Sequence, residues 1–216
     1  MHIEPGVLAA GKLIVANGAA LGLVGVVALL ALRRPALLLR SGLAAAFFTL
    51  CMQAFHLKVG PSELHFLGAM PMYLLLGLVP TLLGFALGLL AQGWLFEPAD
   101  LLHLSVNTLS LALPLLAVHA GFGRRLARVD LRTVLRLDAS YYAGVTAMVG
   151  LWLAIGEAAA PWQDWLQFAA SYLSVVALEP LLTIAVLGAA RRSANERWVR
   201  VWFDPRHLHS AAGRVA

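Results

Sequence analysis

Long apolar blocks alternate along the chain with short polar interruptions that carry Gly, Pro or clustered arginine. A helix that crosses a bilayer needs about 20 mainly apolar residues. On that measure the pattern predicts seven spans. The first covers residues 7–32 and stops at "RRP"; the second covers 41–57, ahead of "HLKVGPSE". The third covers 64–77 and the fourth 81–96, with only the tight turn of "GLVPTLLG" between them. The fifth, 101–122, follows "EPAD" and precedes "GRRLARVDLRTVLR"; the sixth and seventh cover 139–159 and 167–190. The expected organisation is a transmembrane domain over 1–190 and a basic cytoplasmic tail over 191–216. The tail mixes Trp with Arg ("RWVRVWFDPRHLH") and is expected to lie on the inner leaflet.

Composition agrees with the pattern. Of 216 residues 61% are hydrophobic and 12% charged, where soluble domains carry about a quarter charged residues. The fold class is therefore all-α and polytopic. The net charge of +5 does not point to nucleic acid, because the arginines form no patch with interleaved aromatics. They are orientation signals. Arg33, Arg34 and Arg40 follow the first span, Arg124, Arg125, Arg128, Arg132 and Arg136 follow the fifth, and the remaining six follow the seventh. Seven spans put all of them on one side, which the positive-inside rule makes the cytoplasm. The N-terminus is then outside, with an acidic rim of Glu4, Glu63, Glu97, Asp100, Glu157 and Asp164 opposed by Lys58 and Lys12. Such a rim raises the local concentration of cations. No Arg or Lys lies in the first six residues and the first apolar run is too long for a signal peptide, so the written N-terminus is expected to be the mature one.

This topology decides which polar residues can meet. His2, His56, His65 and His103 share the outer side; His119 lies near the inner end of the fifth span, and His207 and His209 lie in the tail. Methionine before a large residue is retained, so Met1 offers a free amine. That amine, the His2 amide nitrogen and the His2 imidazole close two chelate rings on one ion. A fourth nitrogen completes a square-planar set suited to Ni(II) or Cu(II), and to Co(II) with strain. His65, after the "VGPSE" turn, is the best-placed donor. The plain alternative is that His2 and His56 are solvated polar residues. Cys51, within an apolar run, offers neither a disulfide framework nor a thiolate cluster and reads as a small buried hydrophobe.

"MHIEPG", "GPSELHFLG", "LLAQGWLFEPADLLHLSVN" and "ALEPLLTIAVL" together make the chain resemble the CbiM/NikM family, over essentially its whole length. These are the substrate-capture membrane subunits of energy-coupling-factor transporters of Co2+ or Ni2+ in the bacterial inner membrane, linked to cobalamin biosynthesis. The resemblance implies a metal held by Met1, His2 and His65, with Gln92 and Asn107 matching further family positions. It also implies partners: a transmembrane coupling subunit, cytoplasmic ATPase subunits and a small accessory membrane subunit. The transported ion is then the substrate, and no catalytic cofactor is implied. Two departures stand out: Gly68 is followed by Ala69 where relatives often carry a second glycine, and "FHLKVGPSE" spaces its polar residues differently. His56 therefore stays open as an extra ligand, a supporting partner or a plain loop residue. Ser62, Glu63 or Asn107 could orient the His65 ring, and His103 is a further accessory candidate.

Nothing in the chain reads as a Walker A loop, an H-E-x-x-H motif or a Ser/His/Asp arrangement, so no ATP hydrolysis is expected of it. An intramembrane hydrolase using His65, Glu63 and His103 would need an open metal position and a bound water. A non-transporting metal-binding accessory protein is the other alternative. Glu179, beside Pro180 in the seventh span, reads as a helix-packing or gating element. The small residues of "GAALG", Gly18 to Gly22, are expected mainly to pack inside the bundle, with contact to a partner membrane subunit as the alternative.

Overall fold

The computed structural model describes residues 8–59, 62–123, 126, 129–157, 161–204 and 206. In chain order they form α1 (Ala10–Leu32), α2 (Pro35–Ala54), an antiparallel hairpin of β1 (His56–Val59) and β2 (Ser62–His65), α3 (Ala69–Leu76), and α4 (Leu78–Leu95). A 3₁₀ segment (Pro98–His103), α5 (Leu104–Gly121), α6 (Leu131–Ala154), α7 (Trp162–Arg192) and α8 (Arg197–Trp202) complete them. Five helical segments are long and apolar enough to cross a membrane: α1, α2, α4, the 3₁₀ segment with α5, and α7. α6 has 24 residues, about 36 Å at 1.5 Å per residue, which exceeds the roughly 30 Å hydrocarbon core.

Local chemistry explains where helices begin. Pro35 opens α2 directly after the extended Arg34, so that helix starts earlier than the expected residue 41 and ends at Ala54 instead of 57. α6 starts eight residues before its expected position. Asp130 caps it by accepting from the Thr133 amide at 2.8 Å. The charged residues that suggested a loop, Arg132 and Arg136, occupy its exposed face, while Val134, Leu137, Tyr141, Val145 and Val149 face inward.

The third expected span differs most. Its first part is the hairpin strand β2, and only the eight residues of α3 are helical. Eight residues reach about 12 Å, too short to cross. Every residue of α3 is buried, however, and in the non-helical stretch that leads into it Leu67 and Gly68 are buried and Phe66 is half-buried. Irregular backbone at membrane depth is tolerated under that condition. The expected turn between the third and fourth spans contracts to one residue, Gly77, at φ +95°. The Asp204 carboxylate lies 2.9 Å from where a Cβ would stand there, so a larger residue is excluded by space as well as by conformation. From Gly77 the chain turns back along α2, Gly84 against Ala44 and Gly88 against Phe48.

Two ends of the bundle follow from this path. The hairpin end holds the C-termini of α2, α4 and α6 and the acidic residues Glu97, Asp100, Glu157 and Asp164. Lys12 is there too, its Nζ donating to the Ile155 carbonyl. The opposite, tail end holds Arg33, Arg34, Arg132, Arg136, Arg191 and Arg192. The tail itself packs back onto the bundle. Arg40 donates to the Phe203 carbonyl at 2.6 Å and the Val201 carbonyl at 3.2 Å, and the Asp204 amide donates to the Leu75 carbonyl at 2.6 Å. One expectation about α1 is corrected. Ala16, Ala20, Val27 and Ala31 are its buried positions, while Gly18 and Gly22 face outward with nothing described within 4 Å, because the alanine stripe already supplies the close-packing face.

Candidate metal centre

His65 ends β2, directly opposite His56 in the hairpin register, and its side chain is 2% exposed. The ring's Nδ1 lies 3.4 Å from the Met52 carbonyl, at the last turn of α2. A carbonyl can only accept, so a hydrogen bond here requires the ring proton on Nδ1 and leaves the lone pair on Nε2. A neutral imidazole with its tautomer set in this way is the form that binds a metal ion. The next residue extends the hairpin, Phe66 N–H donating to Phe55 O at 3.2 Å.

Beyond it the chain turns into the bundle through Gly68, in the left-handed region at φ 63° and ψ 32°. A methyl group on Gly68 would lie 2.5 Å from the Phe47 ring and 3.2 Å from Cys51 Sγ. Cys51 is half-buried, where the sequence predicts a fully buried small hydrophobe. The α3 N-terminus that follows meets Glu179 of α7. Glu179 Oε1 accepts from the Met70 amide at 3.0 Å, and Oε2 accepts from the Tyr142 hydroxyl of α6. The expected packing role of Glu179 thus has a concrete form, a bridge between α7, α6 and the start of α3. Thr183 donates back to the Glu179 carbonyl at 2.9 Å.

Three further candidates sit at the corner where α4 passes through the 3₁₀ segment into α5. Gln92 is in the last turns of α4, His103 is the residue before α5, and Asn107 lies one turn on from it. All three are buried and stand at the same end of the bundle as His65. Of His56, Ser62 and Glu63 only the hairpin backbone is described, and Met1 and His2 lie outside the described residues. Among the described residues no group of three His, Cys, Asp or Glu could hold a metal ion.

His119 belongs to the other end. Its Nδ1 is 2.7 Å from the Tyr73 hydroxyl, beside a cavity of about 470 Å³ lined also by Gly77, Asp204 and Arg206. His207 and His209 lie outside the described residues. Sequence reasoning missed the Met52 carbonyl, which carries no sequence signal, and the tyrosines of α6 and α7. Tyr141 and Tyr142 could have been suspected, since a phenol inside a bilayer requires a partner.

Against known proteins, the family model CbiM, described as cobalt uptake substrate-specific transmembrane region, matches residues 2–197. No curated protein and no solved structure matches the chain.

Proposed function

Because the chain belongs to the CbiM family, as a multi-pass membrane component that gives a cobalt uptake system its substrate specificity and is not itself an enzyme, we propose that it captures Co2+ or Ni2+ through its N-terminus and His65. The ligands in this reading are the Met1 amine, the His2 amide nitrogen and Nδ1, and His65 Nε2. His65 supports it most directly: a buried imidazole whose Nδ1 faces the Met52 carbonyl presents Nε2 as the donor. The remaining polar residues of that end, His56, Ser62, Glu63, Gln92, His103 and Asn107, orient or shield these ligands. Inward delivery draws its energy from partners: a transmembrane coupling subunit, ATPase subunits on the cytoplasmic side and a small accessory membrane subunit. A four-nitrogen set leaves no open position for a water nucleophile, which disfavours hydrolysis at this site.

The test is the freedom of the amine. One residue added ahead of Met1 converts it to an amide and removes a donor, whereas a tag after Ala216 leaves the site alone. We expect the N-terminally extended protein to lose uptake and the C-terminally tagged protein to keep it. Binding is also expected to fall steeply in acid, because the amine, amide and imidazoles must all lose protons to the metal. Full uptake by an extended protein, shown by mass spectrometry to be unprocessed, overturns the ligand set.

A further inference from the structure

The short α3 begins inside the bundle, where the N–H groups of its first turn have neither water nor an intrahelical acceptor. Its N-cap, Gly68, has no side chain to supply one. The acceptor comes from another helix. Glu179 Oε1 accepts from the Met70 amide at 3.0 Å, and the Gly68 and Ala69 amides also face the carboxylate. The next residue is Pro71, which has no N–H. One carboxylate from α7 is therefore the acceptor at the start of α3, bonded to the Met70 amide and with the Gly68 and Ala69 amides near it. Its other oxygen is held by the Tyr142 hydroxyl, and neither Glu179 nor Tyr142 is exposed.

The same helix also reaches the hairpin. Tyr172 stands seven residues before Glu179, about two turns along one face of α7. Its buried hydroxyl lies near the His65 backbone without a hydrogen bond of ordinary geometry. α7 thus touches both ends of the 65–70 segment, at His65 through Tyr172 and at Met70 through Glu179. Between these points the chain has only Phe66, Leu67, Gly68 and Ala69.

We propose that Glu179 is a positioning residue for metal capture: by holding the amides that open α3, it fixes the 66–68 segment and with it the His65 imidazole. The inference rests on the reading of His65 as a ligand. Its physical basis is preorganisation. A ligand on a segment that occupies its binding conformation only a fraction of the time weakens apparent affinity by that fraction. Without the carboxylate the buried amides must find other acceptors, and the segment repacks to do so.

The test measures Ni2+ affinity of the purified full chain with a native N-terminus. Glu179→Leu is expected to weaken binding by about 10–100-fold, the usual range for residues that orient a ligand. Glu179→Gln keeps an acceptor for the Met70 amide and can donate to the Tyr142 oxygen, so it recovers most of the affinity. In a His65→Ala background, Glu179→Leu should leave the residual affinity of the N-terminal chelate unchanged, an outcome that a general loss of stability would not give. If Glu179→Leu does not fold, Tyr142→Phe carries the test, with an expected weakening of about tenfold that also vanishes without His65. Wild-type affinity in Glu179→Leu or, in its place, Tyr142→Phe, or an equal loss with and without His65, overturns the proposal. Wild-type affinity in His65→Ala is a different failure: it removes His65 as a ligand, and the positioning role falls with it.

Discussion

Gly68 and His65 show how much of this site depends on single residues. Gly68 holds a left-handed conformation that costs an L-residue about 1–2 kcal/mol, and a methyl there would press on Phe47. Gly68→Ala is therefore expected to destabilise the protein by at least about 1–2 kcal/mol, read as a lower unfolding midpoint in detergent. An unchanged midpoint would mean that the turn is easily remade. For His65, substitution by Ala should abolish high-affinity metal binding, because three donors from the terminus leave one position to water. His56 stands opposite it in the hairpin, so His56→Ala should weaken binding by only about 10–100-fold. Isothermal titration with Ni2+ separates the two, and complete loss in both would place His56 among the ligands.

At the scale of elements, α3 is held at both ends by distant parts of the chain, by Glu179 at its start and by the tail at its close. The tail contact rests on Arg40, which donates to the Phe203 and Val201 carbonyls, and on Asp204, whose amide meets Leu75 and whose carboxylate pairs with Arg206. Burial pushes the Asp204 carboxyl up, but hydrogen bonds from Arg206 and the charges of Arg206 and Arg40 outweigh it, leaving the pKa below the usual aspartate value. A depressed folded pKa contributes stability that is present above the unfolded pKa, about 4, and is lost as pH falls through the lower folded value. The exchange protection factors of residues 197–204 should therefore be high at neutral pH and fall below about pH 4. Asp204→Asn should show low protection at both. Arg40→Ala should also release the tail, a loss of about 1.5–3 kcal/mol for hydrogen bonds from a charged donor, visible as faster trypsin cleavage after Arg197 or Arg200. Equal cleavage rates would show that α8 is held by other contacts.

For the whole molecule, polarity is the governing feature. The described arginines gather at the tail end, whereas Glu97, Asp100, Glu157 and Asp164 stand at the hairpin end, where no described arginine lies. The positive-inside rule predicts the tail end in the cytoplasm and His65 toward the outside. A reporter fused after Ala216 is expected to read cytoplasmic. A cysteine at Ala99, in a Cys51→Ser background, should label from outside with a reagent that cannot cross the membrane. Labelling from the cytoplasm alone would place the hairpin on the wrong face for capture.

Block length and arginine placement were enough to establish a polytopic helical bundle and its two unlike ends, because hydrophobic length and loop charge act segment by segment and need no tertiary partner. The "RRP" stop and the turn at Gly77 were legible for the same reason: each follows from local backbone or membrane chemistry. The hairpin and the eight-residue α3 were not. A buried strand and a buried helix present the same apolar run, and only packing against α2, α4 and α7 makes so short a helix sufficient. The early start of α6 was hidden because arginines on an exposed helical face look like a loop until the opposite face finds a core. Glu179 was visible as a charge out of place, but its partners, the α3 amides and Tyr142, are 109 and 37 residues away along the chain. That a carboxylate inside the membrane must be satisfied could be read from the chain alone. Which groups satisfy it was decided by the tertiary structure, since hydrogen bonds in the absence of water go to whatever the fold brings within 3 Å.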